Sequence, residues 1–230
     1  MATGNQVLAI AQKHIGESYI LGSKAPLGNP NFKGPWDCAE FITWCVFQAS
    51  GLVIGSRNGD AYTGFWADDA NTKCRLISIE DAAGIAGAVI LRKPIDPQGN
   101  NRMGHIVFSN GKGKTVEAMG KKFGVKSGEI NGRIWDTGLL VKGIDYTTNS
   151  NLEFTLSQPV HNFFFTDPVM EDSLVLQAKR ALKEFGVDPG IINKQYDANM
   201  QAAVYNYQAV KGLVTDGILG KQTLKSLKII

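Results

Sequence analysis

The segment Asp37–Gly51 constrains the fold more than any other part of the chain. Phe41, Ile42, Trp44, Cys45, Val46 and Phe47 place apolar side chains nearly all round a helix, and a helix without a polar face has to be covered on every side. Asp37 stands where an N-cap belongs and Gly51 where a terminating glycine belongs, so the spacing predicts a buried helix from about Asp37 to Ser50. The rest of the first 147 residues has to supply the cover. A first helix is predicted from Thr3, with Gln6 completing a capping box. Val7, Leu8, Ala11 and Ile15 recur at helical spacing, and Gly16 can end the helix. A loop rich in Gly, Pro and Asn follows over Gly22–Pro35. From about Gly87 the pattern changes to short strands, Ala88–Arg92, Gly104–Ser109, Thr115–Ala118 and Gly138–Tyr146, separated by Gly-, Asn- and Lys-rich turns. Helices first and strands afterwards predict an α+β domain, a helix packed on an antiparallel sheet.

The chain has 230 residues, room for a domain of about 150 and a second of about 60. A formal charge of +3 with 20% charged residues is far from a nucleic-acid-binding balance. Three cysteines at no metal-ligand spacing and three well-separated histidines, His14, His105 and His161, offer neither a disulfide framework nor a zinc site. No basic segment followed by a long apolar run opens the chain, and no stretch reaches transmembrane length. The expectation is a protein made in the cytoplasm that reaches any extracellular substrate by another route. Residues 148–171, with three acidic residues, no Lys or Arg and two prolines, are predicted to form a connector in which the run Phe163–Phe165 packs onto a domain. Helical patterns resume at Leu174–Phe185, Asp197–Val210 and Lys221–Leu227.

Among the cysteines, Cys38 has the position of a nucleophile. A thiol in the first turn of a helix feels the positive end of the macrodipole and free backbone N–H groups, both of which favour thiolate. Cys45, in the helix interior, reads as core, and Cys74 as an incidental residue in a polar stretch without a partner. A nucleophilic cysteine needs a base. His105 shares a strand face with Val107. If the following loop is Gly111-Lys112-Gly113, with Gly113 left-handed, Val107 faces Glu117, which then lies diagonally from His105 at roughly 7–8 Å between backbones. A two-residue Asn110-Gly111 loop would turn Glu117 to the opposite face. Taken singly, each residue also has a plain structural account: a buried thiol, a sheet histidine, a solvated carboxylate.

In order, Gly16-x-x-Tyr19, Asp37-Cys38-Ala39-x-Phe41 and Gly104-His105-Ile106-Val107 with Asn110-Gly111 resemble the NlpC/P60 cell-wall cysteine peptidases, and the related CHAP amidases have a similar plan. The resemblance covers about residues 1–147 and implies a papain-like α+β fold, with Cys38 as nucleophile, His105 as base and Glu117 as its orienting partner. Tyr19 would steady the oxyanion, and Asp37 would bind the amine end of a peptide stem besides capping the helix. No metal or cofactor is implied. Glu at position 117 is closer to CHAP enzymes, since NlpC/P60 members more often carry His, Asn or Gln there. Ala39 stands where the family usually has Ser. Both an endopeptidase at the γ-D-glutamyl–diamino acid bond and an N-acetylmuramoyl-L-alanine amidase therefore stay open.

Residues 172–230 resemble a three-helix peptidoglycan-binding domain, most specifically in Gly212-Leu213-Val214-x-Asp216-Gly217-Ile218-x-Gly220-x-x-Thr223. Asp216 and Thr223 are expected to cap or bracket the last helix. An earlier copy of this turn, Gly190–Asp197, is degraded. The implied partner is bacterial peptidoglycan, with an immunity protein or an injection or secretion apparatus as further partners if the protein is a delivered antibacterial effector rather than a phage endolysin. The other classes are a wall-binding protein with a vestigial catalytic fold, against which intact Cys38, His105 and Tyr19 argue, and an acyltransferase acting on lipids.

Overall fold

A computed structural model describes residues 1–96, 99–147, 162–166 and 168–230. Most of the connector expected at 148–171 lies outside the described residues, as does His161. The chain divides into two compact units, Met1–Phe154 and Thr155–Ile230.

In the first unit the elements run β1 (Ala2–Thr3), α1 (Gly4–Gln12), α2 (Cys38–Ser50), β2 (Ser56–Arg57), β3 (Asp60–Ala61), α3 (Thr63–Lys73) and β4 (Cys74–Ile77). They continue with α4 (Ile79–Ala83), β5 (Ala86–Arg92), β6 (His105–Asn110), β7 (Lys114–Gly120), β8 (Gly124–Glu129), β9 (Thr137–Val141) and β10 (Ile144–Asp145). The capping box at Thr3 and Gln6 is formed in both directions, with bonds of 2.9 and 3.2 Å. Helix α1 ends at Gln12, a turn earlier than expected. The Gly16 N–H donates to the Val125 carbonyl and the Val125 N–H to the Glu17 carbonyl, so pairing with β8 draws the chain away from the helix axis.

Helix α2 is buried as its composition demands. Asp37 caps it, Gly51 closes it at φ 74°, and every residue from Cys38 to Val46 is buried. Its polar members have partners: Glu40 accepts the N–H groups of Ala25 and Ala61, and Thr43 donates to the Ile54 carbonyl. The cover is a six-stranded antiparallel sheet in the order β4-β9-β5-β6-β7-β8. Val89, Leu91, Ile106, Phe108, Val116, Ala118, Leu139 and Val141 share one apolar core with Phe41, Ile42 and Trp44 of α2. Because side chains alternate along a strand, Arg92, His105, Thr115 and Glu117 belong to the other face of that sheet.

The segment Gly138–Tyr146 is not one strand. It breaks into β9 and β10, and β10 pairs in parallel with β1. Helix α3, strands β4 and β8 and the short α4 were not predicted, because their sequences lack a clear apolar period. In α3 only Thr63, Trp66, Asp69 and Ala70 are buried. Cys74 differs from expectation: it opens β4 opposite Val141, is buried in the core, and burial pushes its thiol up to about 12.

The second unit contains α5 (Ser173–Phe185), α6 (Ala198–Lys211) and α7 (Lys221–Ser226), close to the predicted helices. Asp172 and Asp197 cap the first two, and Gly186 and Gly212 end them in the left-handed conformation. Val175, Leu182, Tyr196, Met200, Val204, Tyr207, Leu219 and Leu224 form the core, and Phe163 joins it by pairing with Leu219. Asp216 and Thr223 do not cap α7, whose N-cap is Gly220 without a side-chain bond. They accept instead from the buried amide of Gln208, at 2.8 and 3.1 Å, and that amide also takes the N–H groups of Asp216 and Gly217. The degraded turn has its own hub: fully buried Lys179 donates to the Ile191 carbonyl, Asn193 Oδ1 and Asp197 Oδ2, each at 2.9 Å. Three donors meet three acceptors. Lys179→Met removes the charge and strands those acceptors, so unfolding of this unit in urea is expected to be easier by roughly 3 kcal/mol. An unchanged midpoint would contradict this.

Candidate active site

The N-terminus of α2, the start of β6 and the loop after α1 open onto one cleft of about 690 Å³. Its lining includes Tyr19, Asp37, Cys38 and His105. Glu117 stands behind His105. The hairpin has the three-residue loop: Phe108 pairs with Val116 and Ser109 with Thr115, Gly111 and Gly113 have φ of 75° and 78°, and Glu117 comes to the face of His105. His105 Nε2 lies 2.6 Å from Glu117 Oε2. That contact occupies Nε2 and leaves Nδ1 as the ring nitrogen available to a reacting group.

Glu117 is fully buried. Burial alone would raise its pKa, but hydrogen bonds from His105, Arg133 and Thr115 outweigh that and hold it at about 2. Arg133 grips both carboxylate oxygens, at 2.6 and 2.9 Å, and Thr115 donates its hydroxyl to Oε1. The ring of Trp135 stacks on His105 with centroids 6.0 Å apart, and the Arg133 guanidinium lies over Trp135. The imidazole is thus held by a carboxylate on one edge and an indole on one face. Gly128 makes room for this, because a Cβ there would come within 2.6 Å of Glu117 Oε1.

Cys38 is buried at the first turn of α2. The backbone N–H groups of Ala39 and of Ile106, on the strand that carries His105, favour its thiolate. Burial first, and the Asp37 carboxylate second, outweigh that effect and push the thiol up to about 12. The Cys38 N–H, at the start of the helix, has no acceptor among the described residues. Tyr19 pairs with Trp36 through an isolated bridge, and burial followed by the proximity of Cys38 and Asp37 raises its hydroxyl, so it stays a donor. Asp37 does cap α2, accepting from the Ala39 N–H at 2.9 Å, while its other oxygen takes the Gly22 N–H at 3.0 Å.

All five residues singled out in the sequence fall at or directly behind this cleft. Four that support them were missed: Arg133, Thr115, Trp135 and Gly128. Thr115 was legible as the same-face neighbour two residues before Glu117. Arg133 and Trp135 lie in the loop before β9, and no local spacing connects them to His105. Among the described residues no cluster of three metal-ligating side chains occurs.

The Asp37 charge makes a testable contribution. Asp37→Asn keeps an oxygen for the Ala39 N–H but removes the charge that raises the neighbouring thiol. Iodoacetamide at pH 8, well below the Cys38 value, is expected to alkylate the variant roughly threefold to tenfold faster than wild type. An equal or slower rate, with Cys38 identified by peptide mapping, would contradict it.

Several solved structures resemble the chain. The NlpC/p60 domain of the peptidoglycan hydrolase SagA is 23% identical with a TM-score of 0.45, over 60% of this chain and 99% of that one. The P60 domain of an antigen from M. avium subspecies paratuberculosis is 21% identical with a TM-score of 0.43, over 62% and 98%. The peptidoglycan hydrolase RipB from Mycobacterium tuberculosis is 19% identical with a TM-score of 0.44, over 62% of this chain and 65% of that one. Comparison with curated proteins gives no match. Residues 171–227 match the family model described as "Putative peptidoglycan binding domain".

Proposed function

We propose that the protein is a peptidoglycan hydrolase that cuts an amide of the stem peptide, with Cys38 as nucleophile and His105 as acid and base. The observation that carries this reading is the 2.6 Å contact between His105 and buried Glu117 in a cleft that also holds the thiol. A thiol and an imidazole fixed by a carboxylate in one cleft, with a free N–H at the helix start, are the parts of acyl transfer. The match of residues 171–227 to a peptidoglycan-binding family supports the choice of substrate, since a wall-binding unit raises the local concentration of stems.

In the reaction, His105 Nδ1 takes the Cys38 proton as the sulfur attacks the carbonyl carbon. Burial disfavours a free thiolate, and His105 is the base placed to remove the proton. The Cys38 N–H and the Tyr19 hydroxyl receive the oxyanion. His105 then gives its proton to the leaving amine, which departs and leaves a thioester. Water, deprotonated by His105, releases the acid and restores the thiol. The favoured bond is γ-D-glutamyl–diamino acid. The carboxylate at position 117, the CHAP-like choice, keeps the muramoyl–alanine amide as the second reading.

Digestion of purified sacculi followed by mass spectrometry of the fragments tests this. A new free amine on the diamino acid identifies the endopeptidase, and free lactyl groups on muramic acid identify the amidase. Absence of soluble fragments from sacculi of several chemotypes would overturn the hydrolase reading.

A further inference from the structure

The cleft is lined by charges of both signs. Asp37, Glu40 and Asp60 line it, and so do Arg92, Arg102, Arg133 and Lys121. Most of these charges are already engaged. Lys24 pairs with Asp60 at 2.6 Å, and Glu40 accepts two backbone N–H groups. Arg133 is held by Glu117. Arg102 binds the Asp136 carboxylate and the Lys93 carbonyl.

Arg92 is different. It is the last residue of β5, directly opposite His105 in the sheet register, so the two side chains share a face and a rim of the cleft. Its guanidinium has no acceptor among the described residues, and its Nε is sealed from solvent without a partner. Burial, then repulsion from Arg133 and Arg102, lowers its pKa, with the Asp136 charge only partly opposing them. A buried N–H of a cation left unpaired is costly, and a planar guanidinium is best satisfied by a carboxylate taken through two N–H groups. The site therefore has an anion-shaped deficit one strand away from the base.

The chemistry of the cleft gives the anion its place on the substrate. The amine released in the reaction is the one that His105 protonates, so the leaving residue lies on the His105 side. The acyl part lies toward Asp37, whose carboxylate has N–H partners but no cation among the described residues. Resting on the hydrolase reading, we propose that Arg92 is a specificity-determining residue that binds a free carboxylate on the amino acid whose amine is released. The preferred stems then carry an unamidated dicarboxylic diamino acid after the scissile bond, in preference to one whose carboxylates are blocked as amides.

The test separates this proposal from the reading beneath it. Cys38→Ala protein, which does not turn over, is titrated by calorimetry with the tripeptide L-Ala-γ-D-Glu-diaminopimelate. It is titrated in parallel with the same peptide amidated on the diaminopimelate carboxylates, and with one amidated only on the glutamate. The expected result is at least tenfold weaker binding of the diaminopimelate amide, a preference that falls toward unity when Arg92→Gln is added and only part-way with Arg92→Lys. Because the readout is a ratio between two ligands on one protein, a partly unfolded preparation does not alter it. No preference in the parent, a preference that survives Arg92→Gln, or a preference carried by the glutamate carboxylate would each overturn the assignment. Cleavage of the unmodified tripeptide by wild type is scored separately and bears on the hydrolase reading alone.

Discussion

Cys38→Ala is expected to keep the native fold and to lose at least about 10⁴-fold in the rate of sacculus digestion, because without the sulfur no thioester forms. The side chain is small and buried, so truncation to alanine costs about 1 kcal/mol, within the tolerance of a domain of this size. The control is sedimentation with insoluble sacculi: the variant should pellet as wild type does, since residues 171–227 are untouched. A variant that still digests at more than about a hundredth of the wild-type rate would remove Cys38 from the mechanism. Cys45 and Cys74 provide the internal comparison. Both are buried core thiols with raised pKa values, and neither lines the cleft. Their replacement by alanine should lower stability rather than turnover per folded molecule.

Glu117→Gln should be the second large effect, and it acts on two quantities at once. Turnover is expected to fall by about 10²–10⁴-fold, because an amide neither stabilises the imidazolium nor fixes which ring nitrogen carries the proton. Stability should fall too, by roughly 3 kcal/mol, since Arg133 loses the carboxylate it grips with two N–H groups. The pH dependence has a definite sign. The folded-state value of about 2 lies below the ordinary 4.5, so the stabilisation is complete above the ordinary value and is lost as pH falls toward 2. Urea unfolding of wild type between pH 6 and 3 should show this decline, and the Gln variant should show a shallower one. Parallel slopes for the two proteins would refute the assignment of the acid limb to Glu117. A full-rate Gln variant would reduce Glu117 to a structural anchor.

Much of the site was legible because its residues lie in locally determined elements. The cap at Asp37, the apolar run behind it and the stop at Gly51 specify helix α2 by short-range chemistry, and with it the place of Cys38. The relation between His105 and Glu117 needed only a hairpin of the right loop length, and the two glycines at 111 and 113 supply the positive φ values of that loop. Where sequence reasoning fell short, the deciding contact was distant in the chain. Helix α1 ended early because β8 claims the backbone after it. Cys74 looked polar by its neighbours and is buried because β4 pairs with β9, more than sixty residues on. Asp216 and Thr223 read as helix caps and proved to be acceptors for Gln208 on α6.

The same division separates what the sequence by itself determined from what only the tertiary structure decided. Periodicity, caps and turn glycines act over a few residues, and they suffice for a buried helix with a thiol at its head, a histidine strand and a hairpin that returns a carboxylate to it. The charge state of that carboxylate, the indole against the imidazole, the elevation of the thiol by burial and the buried Arg92 Nε without an acceptor among the described residues depend on which distant groups share the space and on how much water is excluded from it. Electrostatics and desolvation are sums over neighbours in three dimensions, and no spacing along the chain encodes them.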